Sequence, residues 1–151
     1  MIVQGAGDLL DAETDALVNA VNCVGVMGKG LALQFKQRFP AYFDAYASAC
    51  AAGEVRLGRV HVTRLDRWFV SFPTKRHFRS RSKLSDIASG LDDLARVVGE
   101  LGLRSVAVPP LGAGLGGLAW AEVEPLIEEK LGRLDAAVAV FSPGNAARLG
   151  L

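Results

Sequence analysis

Cysteine is nearly absent from this sequence: Cys23 and Cys50 are the only two, and their spacing is not that of a metal site. Two cysteines make no disulfide framework, so a reduced compartment, the cytoplasm, is expected. Histidine also occurs only twice and no carboxylate cluster is visible, so neither a metal nor a cofactor is expected. The opening MIVQGAGDLL has no basic stretch and no long apolar core, which excludes a secretory leader as an expectation. No apolar run approaches the length that spans a bilayer, so no membrane partner is expected. Internal repeats, linkers and low-complexity segments are missing too, and 151 residues suit one domain, spanning 1–151.

Net charge is small, with 17 basic against 16 acidic residues, yet it is unevenly spread. The stretch SFPTKRHFRSRSK, residues 71–83, holds Lys75, Arg76, Arg79, Arg81 and Lys83 with no acid among them. Without those five, 12 basic residues would face 16 acidic ones, so the rest of the surface is mildly acidic. A local basic patch suits a polyanion or a phosphate; a solvated loop is the alternative.

Half of the residues are hydrophobic, and their periodicity marks elements. MIVQGA, DALVNAV (15–21), RVHVTRL (59–65), RWFVSFP (67–73), RSVAVPPL (104–111) and AAVAVFSP (136–143) read as strands. Asp66 and Arg67 mark a hairpin turn between the third and fourth. LALQFKQRFP (31–40), AYFDAYASACAAG (41–53), residues 83–102 and residues 119–132 read as helices. Strands and helices in this order, with one hairpin, predict a three-layer α/β/α sandwich around a mixed, mostly parallel sheet.

Two glycine-rich loops, 25–30 and 112–117, each follow an apolar strand and precede a helix. Glycine lets backbone N–H groups approach a ligand, and a helix start favours an anion. Phosphate or diphosphate is therefore the expected ligand class. A Walker A loop is excluded, because Gly30 follows Lys29 where Ser or Thr is required and Cys23 stands where a Gly is required. GAGLGG matches G-x-G-x-x-G, but the acid at the right offset, Asp135, stands before its strand rather than after it, so this match is accidental.

The combination of GD (7–8), LVNAVN (17–22), GVMGKGLA (25–32) and PPLGAGLGG (109–117), in this order, resembles the macrodomain family, whose members bind ADP-ribose. The resemblance covers essentially the whole chain. FPTKRHFRSRS and VNCVGVMGKGLALQFK narrow it to the DarG-type branch, antitoxins that remove ADP-ribose from thymidine bases in DNA and are paired with a DarT-type toxin. The resemblance implies that Asp8, with Leu9 beside it, receives the adenine amino group; the alternative for Asp8 is a turn or helix cap. It implies that Asn19 and Asn22 belong to the ribose side, with Asn22 on the distal ribose. It assigns Gly28 and Gly30 to the first diphosphate loop and Gly112, Ala113, Gly114, Leu115 and Gly116 to the second. Lys75 matches the catalytic lysine, with Asn22 as its catalytic companion. Lys75 follows an apolar strand directly, where loop residues of an α/β sheet face the ligand crevice. Related protein-directed hydrolases carry a catalytic aspartate where this chain has Gly116, which favours the DNA-directed reaction.

On this reading the expected partners are ADP-ribose and ADP-ribosylated single-stranded DNA, possibly with a DarT-type toxin encoded alongside, and the chain acts as a monomer. Lys75 either donates a proton to the leaving base or, as a neutral amine, attacks the anomeric carbon. Arg76 and Arg79 are expected to depress its pKa. Arg76, His77, Arg79 and Arg81 are candidates for DNA contact. His77 and Phe78 either stack on an exposed base or pack under the loop. The alternatives are an ADP-ribose reader without hydrolysis, and a hydrolase of ADP-ribosylated protein carboxylates or of O-acetyl-ADP-ribose.

Overall fold

The structure, a computed structural model, describes residues 1–143. Six strands form one sheet: β1 (Ile2–Gln4), β2 (Ala16–Val21), β3 (His61–Arg64), β4 (Trp68–Pro73), β5 (Ser105–Val108) and β6 (Ala137–Val140). Their order across the sheet is β1-β6-β5-β2-β4-β3. Every neighbouring pair is parallel except β3 and β4, which form the expected hairpin around Leu65, Asp66 and Arg67. Four helices complete the described chain: α1 (Gly30–Arg38), α2 (Pro40–Ala51), α3 (Leu84–Leu101) and α4 (Trp120–Leu131). A short 3-10 turn at Leu9–Asp11 was not evident from periodicity, being too brief to show one.

The central strand β2 explains the layering. Apart from the buried Asn19, its ALVNAV run is apolar on both faces, as suits a strand between two parallel neighbours. Val18 points into one core, shared with Ile87, Leu91 and Leu94 of α3 and with Val123 and Ile127 of α4. Leu17 and Val21 point into the other, shared with Leu31 and Phe35 of α1 and with Tyr42 and Tyr46 of α2. Helices therefore cover both faces, and the three-layer mixed sheet is the one expected. Pro40 opens α2 at its first turn, where a missing N–H costs little. Gly102 closes α3 in the left-handed conformation, with φ 63°.

The parallel arrangement decides where the ligand crevice forms. The C-terminal ends of β5, β2 and β4 lie side by side at one edge of the sheet. The loops that leave them begin at Pro109, Asn22 and Thr74. These are the two glycine loops and the basic segment.

Candidate functional site

Register brings the asparagine loop and the lysine loop together. Val21 pairs with Pro73, and the ladder continues past the strands as the Thr74 N–H donates to the Val21 carbonyl at 2.9 Å. The Cys23 N–H then donates to the Arg76 carbonyl at 2.9 Å. The far end of the basic segment is tied to the second glycine loop, where the Ser82 N–H donates to the Gly116 carbonyl at 3.0 Å. Residues 74–82 thus run from one loop to the other.

Between these three segments lies a cleft of about 620 Å3. One wall is the first glycine loop, with Gly28 and Lys29, leading into the N-terminus of α1 at Leu31 and Ala32. The facing wall is the second loop, with Gly112, Gly114, Leu115 and Gly116. Among the described residues, the backbone N–H groups of Gly114, Leu115 and Gly116 make no hydrogen bond within the protein. Three successive free amides opposite a helix N-terminus form an anion-binding concavity. Lys29, Lys75 and Arg79 line the cleft, and among the described residues no Asp or Glu does.

Asn22 borders the cleft, and its side chain also builds the loop that holds it. Oδ1 accepts from the Val24 N–H at 3.1 Å and lies 2.8 Å from the Tyr46 hydroxyl; Nδ2 donates to the Val26 carbonyl at 2.8 Å. One Nδ2 hydrogen remains for a ligand. Burial pushes the Tyr46 phenol well above the ordinary tyrosine value, so it stays a hydroxyl that can donate to Asn22. Tyr46, on α2, is a site residue that sequence reading missed, because helix periodicity marks it only as core.

Lys75 lines the cleft with its Nζ donating to the Phe78 carbonyl at 3.0 Å. Its pKa is lowered from the ordinary lysine value, first by burial and then by the ammonium of Lys29. The direction is the expected one, but the expected cause is corrected. Lys29, which lines the same cleft, is the charged neighbour that lowers it; Arg76 and Arg79 do not contribute, although Arg79 lines the cleft too.

Asn19 requires a correction. It is fully buried within β2, on the same strand face as Leu17 and Val21, and its amide donates to the Tyr42 hydroxyl at 3.3 Å. It has no surface on the cleft, and the alternation of side chains along a strand was the signal for this. Leu9 is likewise fully buried, so it offers no side-chain contact. Ala113 does not line the cleft either, and its N–H is spent on the Pro110 carbonyl at 3.0 Å. Gly30 is the first residue of α1 and is not among the cleft-lining residues either.

Asp8 sits beyond the end of β1, at the same edge of the sheet, but is not among the cleft-lining residues. Its Oδ1 caps the 3-10 turn by accepting from the Leu10 N–H at 3.0 Å, as its alternative reading holds. Arg76, His77 and Arg81 are exposed outside the cleft, and Arg79 reaches its wall. Among the described residues, none of the five cations of 75–83 forms an ion pair with an acid. Nor do three His, Cys, Asp or Glu side chains converge there as metal ligands would.

Position 116, where the protein-directed reaction was expected to need an aspartate, is crowded. A Cβ at that position would stand 2.2 Å from Ser82 Oγ and 2.7 Å from the Gly112 carbonyl oxygen. No side chain fits there without moving the loop.

Comparison with known proteins is consistent with this geometry. The family described as Macro domain matches residues 18–127. The DNA ADP-ribosyl glycohydrolase of Mycobacterium tuberculosis is 51% identical over 98% of this chain, which spans 44% of that relative's length. The solved macrodomain of Mycobacterium tuberculosis DarG superposes with a TM-score of 0.91 at 52% identity, covering 95% of this chain and 98% of that one. Thermosipho africanus DarTG, solved in complex with ADP-ribose, superposes with a TM-score of 0.86 at 36% identity, covering 89% of this chain and 39% of that one. The chain thus spans less than half the length of the curated relatives it matches most fully.

Proposed function

The chain belongs to the macrodomain family, and on that premise we propose that it binds ADP-ribose and hydrolyses the N-glycosidic bond joining ADP-ribose to thymidine bases in single-stranded DNA. The observation that carries this reading is the position of Lys75. It lines one cleft with both glycine loops, beside a belt of exposed cations that have no acidic partner among the described residues. Residues 1–151 act in this reading as a single macrodomain; of these, 144–151 lie outside the described part.

The free amides of Gly114, Leu115 and Gly116 and the N-terminus of α1 hold the diphosphate. Its negative charge lies beside Lys29 and Lys75. It offsets the Lys29 ammonium and raises the Lys75 pKa in the complex, so Lys75 enters the reaction protonated. Asn22 keeps the ribose-side loop in shape and presents its remaining Nδ2 hydrogen to the distal ribose. As the glycosidic bond breaks, the Lys75 ammonium gives its proton to the departing base nitrogen. Water adds to the anomeric carbon, and the proton it loses restores the ammonium.

This assignment has a pH signature. An ammonium donor is lost as pH rises through its pKa, so release falls on the alkaline side, below the pH at which an ordinary lysine titrates. Lys29→Met removes a neighbouring positive charge, so the Lys75 pKa rises and the alkaline fall shifts to higher pH. The check is the pH profile of single-turnover release at enzyme concentrations well below saturation, which reports the free protein rather than the complex. A shift to lower pH, or activity that rises with pH, would instead mark the neutral amine as the reacting form.

The exposed arginines supply phosphate contacts. Arg79→Ala with Arg81→Ala is expected to raise KM for modified single-stranded DNA roughly tenfold at low salt, with the loss shrinking as salt is raised. Free ADP-ribose affinity, read by calorimetry, stays within about twofold, since diphosphate binding belongs to the loops. Equal loss of both would remove the DNA-contact role.

The decisive test is incubation with single-stranded DNA ADP-ribosylated on thymidine, scored by released ADP-ribose. Bound ADP-ribose without release would leave a reader module. Release only from modified carboxylates or O-acetyl-ADP-ribose would indicate the protein-directed reaction. The modified base must come from a DNA ADP-ribosyl transferase, and a DarT-type toxin is the proposed source. Among the described residues no helix is long and apolar enough to cross a membrane; a cytoplasmic, monomeric protein belongs to the same proposal.

A further inference from the structure

Phe78 is a large aromatic that the core does not bury. It is 42% exposed in the middle of the basic segment, and its side of the segment lines the cleft. Packing under the loop, one of the two roles open to it from sequence, is not what it does. Its backbone carbonyl accepts from Lys75 Nζ at 3.0 Å, so residue 78 lies beside the reacting ammonium. The His77 ring lies 4.0 Å from it at an interplanar angle of 32°, and that imidazole is fixed as Nδ1 accepts from the Arg79 N–H at 3.1 Å. The Arg79 guanidinium carbon stands 5.7 Å from the Phe78 centroid. Val26 and Leu115, also exposed, carry the apolar character across the mouth of the cleft.

An exposed aromatic with an imidazole and a guanidinium beside it, lining the same cleft as a proton donor, matches the needs of a flat, polarisable leaving group. A nucleobase has a π-face on each side and stacks on such a surface whatever its edge pattern. A carboxylate linked to ADP-ribose through an ester has no such face. The surrounding cations suit the flanking phosphates.

We propose that Phe78 is the platform on which the modified base stacks, so that it sets preference for nucleobase-linked over protein-linked ADP-ribose. This rests on the glycohydrolase reading above and deepens it. The base lies between the Phe78 ring and the cleft, with its linked nitrogen toward Lys75. His77 and Arg79 hold the ring in place rather than touching the base themselves.

The test uses binding in a Lys75→Met background, where nothing turns over, with two probes: an ADP-ribosylated thymidine dinucleotide and free ADP-ribose. Phe78→Leu keeps apolar bulk but removes the π-face. It is expected to weaken dinucleotide binding roughly tenfold or more while leaving ADP-ribose affinity within about twofold. Phe78→Trp restores dinucleotide binding. An unchanged ratio of the two affinities in Phe78→Leu overturns the proposal, as does a failure of Phe78→Trp to restore it. Release of ADP-ribose from modified DNA by the parent is scored separately. Failure there removes the glycohydrolase reading, while the binding ratio still decides the stacking role by itself.

Discussion

Lys75→Ala releases no ADP-ribose above background from single-stranded DNA modified on thymidine, under conditions where the parent goes to completion. General acid catalysis contributes roughly 10^2- to 10^4-fold, and a loss in that range or beyond is expected in the single-turnover rate. Affinity for free ADP-ribose changes little, because Lys75 is only one of three cations in the cleft and the amides of the second loop are untouched. Two controls give the result its meaning. Lys75→Arg keeps the charge but raises the donor pKa far above the working range, so it stays inactive if proton transfer matters and recovers if charge alone suffices. Borohydride treatment of the parent during turnover leaves no ADP-ribosyl adduct on Lys75 if the lysine is the acid. A trapped adduct would make it the nucleophile and overturn the order of events proposed here. Retention of full release in Lys75→Ala would remove the lysine from the chemistry altogether.

Gly116→Ala is expected to have the second-largest effect, and on a different step. The added methyl must displace either Ser82 Oγ, 2.2 Å away, or the Gly112 carbonyl oxygen, 2.7 Å away. Both contacts lie far inside van der Waals range, and the second is backbone, so the loop has to move. Overpacking of this kind costs about 1–3 kcal/mol. Here that cost falls on the loop whose three free amides hold the diphosphate in the proposed reading. The expected outcome is a weakening of ADP-ribose binding by roughly tenfold or more, read by calorimetry, with release falling in parallel. Adding Ser82→Gly removes one of the two obstacles and restores part of the affinity but not all of it. Unchanged affinity in Gly116→Ala would mean that the loop does not use this conformation to bind. The same crowding is why an aspartate cannot simply be grafted at 116 to give the chain a protein-directed mechanism.

Much of this molecule is local chemistry, and the sequence by itself determined it. Alternating and continuous apolar runs set the strands, three-to-four spacing set the helices, and the single hairpin followed from Asp66 and Arg67 between two strand patterns. Glycine spacing in 25–30 and 112–117 marked both loops that line the cleft, since backbone that must approach a ligand closely tolerates little else. The position of Lys75 directly after an apolar strand put it at the mouth of the crevice.

What only the tertiary structure decided are relations between residues distant along the chain. Asn19 and Asn22 belong to one short run, but burial against Tyr42 takes Asn19 into the core, while Tyr46 helps hold Asn22 at the rim. The neighbour that lowers the Lys75 pKa is Lys29, across the cleft, and not the arginines beside it in sequence. Ser82 closes over Gly116, and Phe78 is left open to the cleft instead of packing beneath its loop. Period and composition report which face a side chain takes. They do not report which loops a parallel sheet will bring to the same edge, and that juxtaposition sets the burial, the local field and the room left for a ligand.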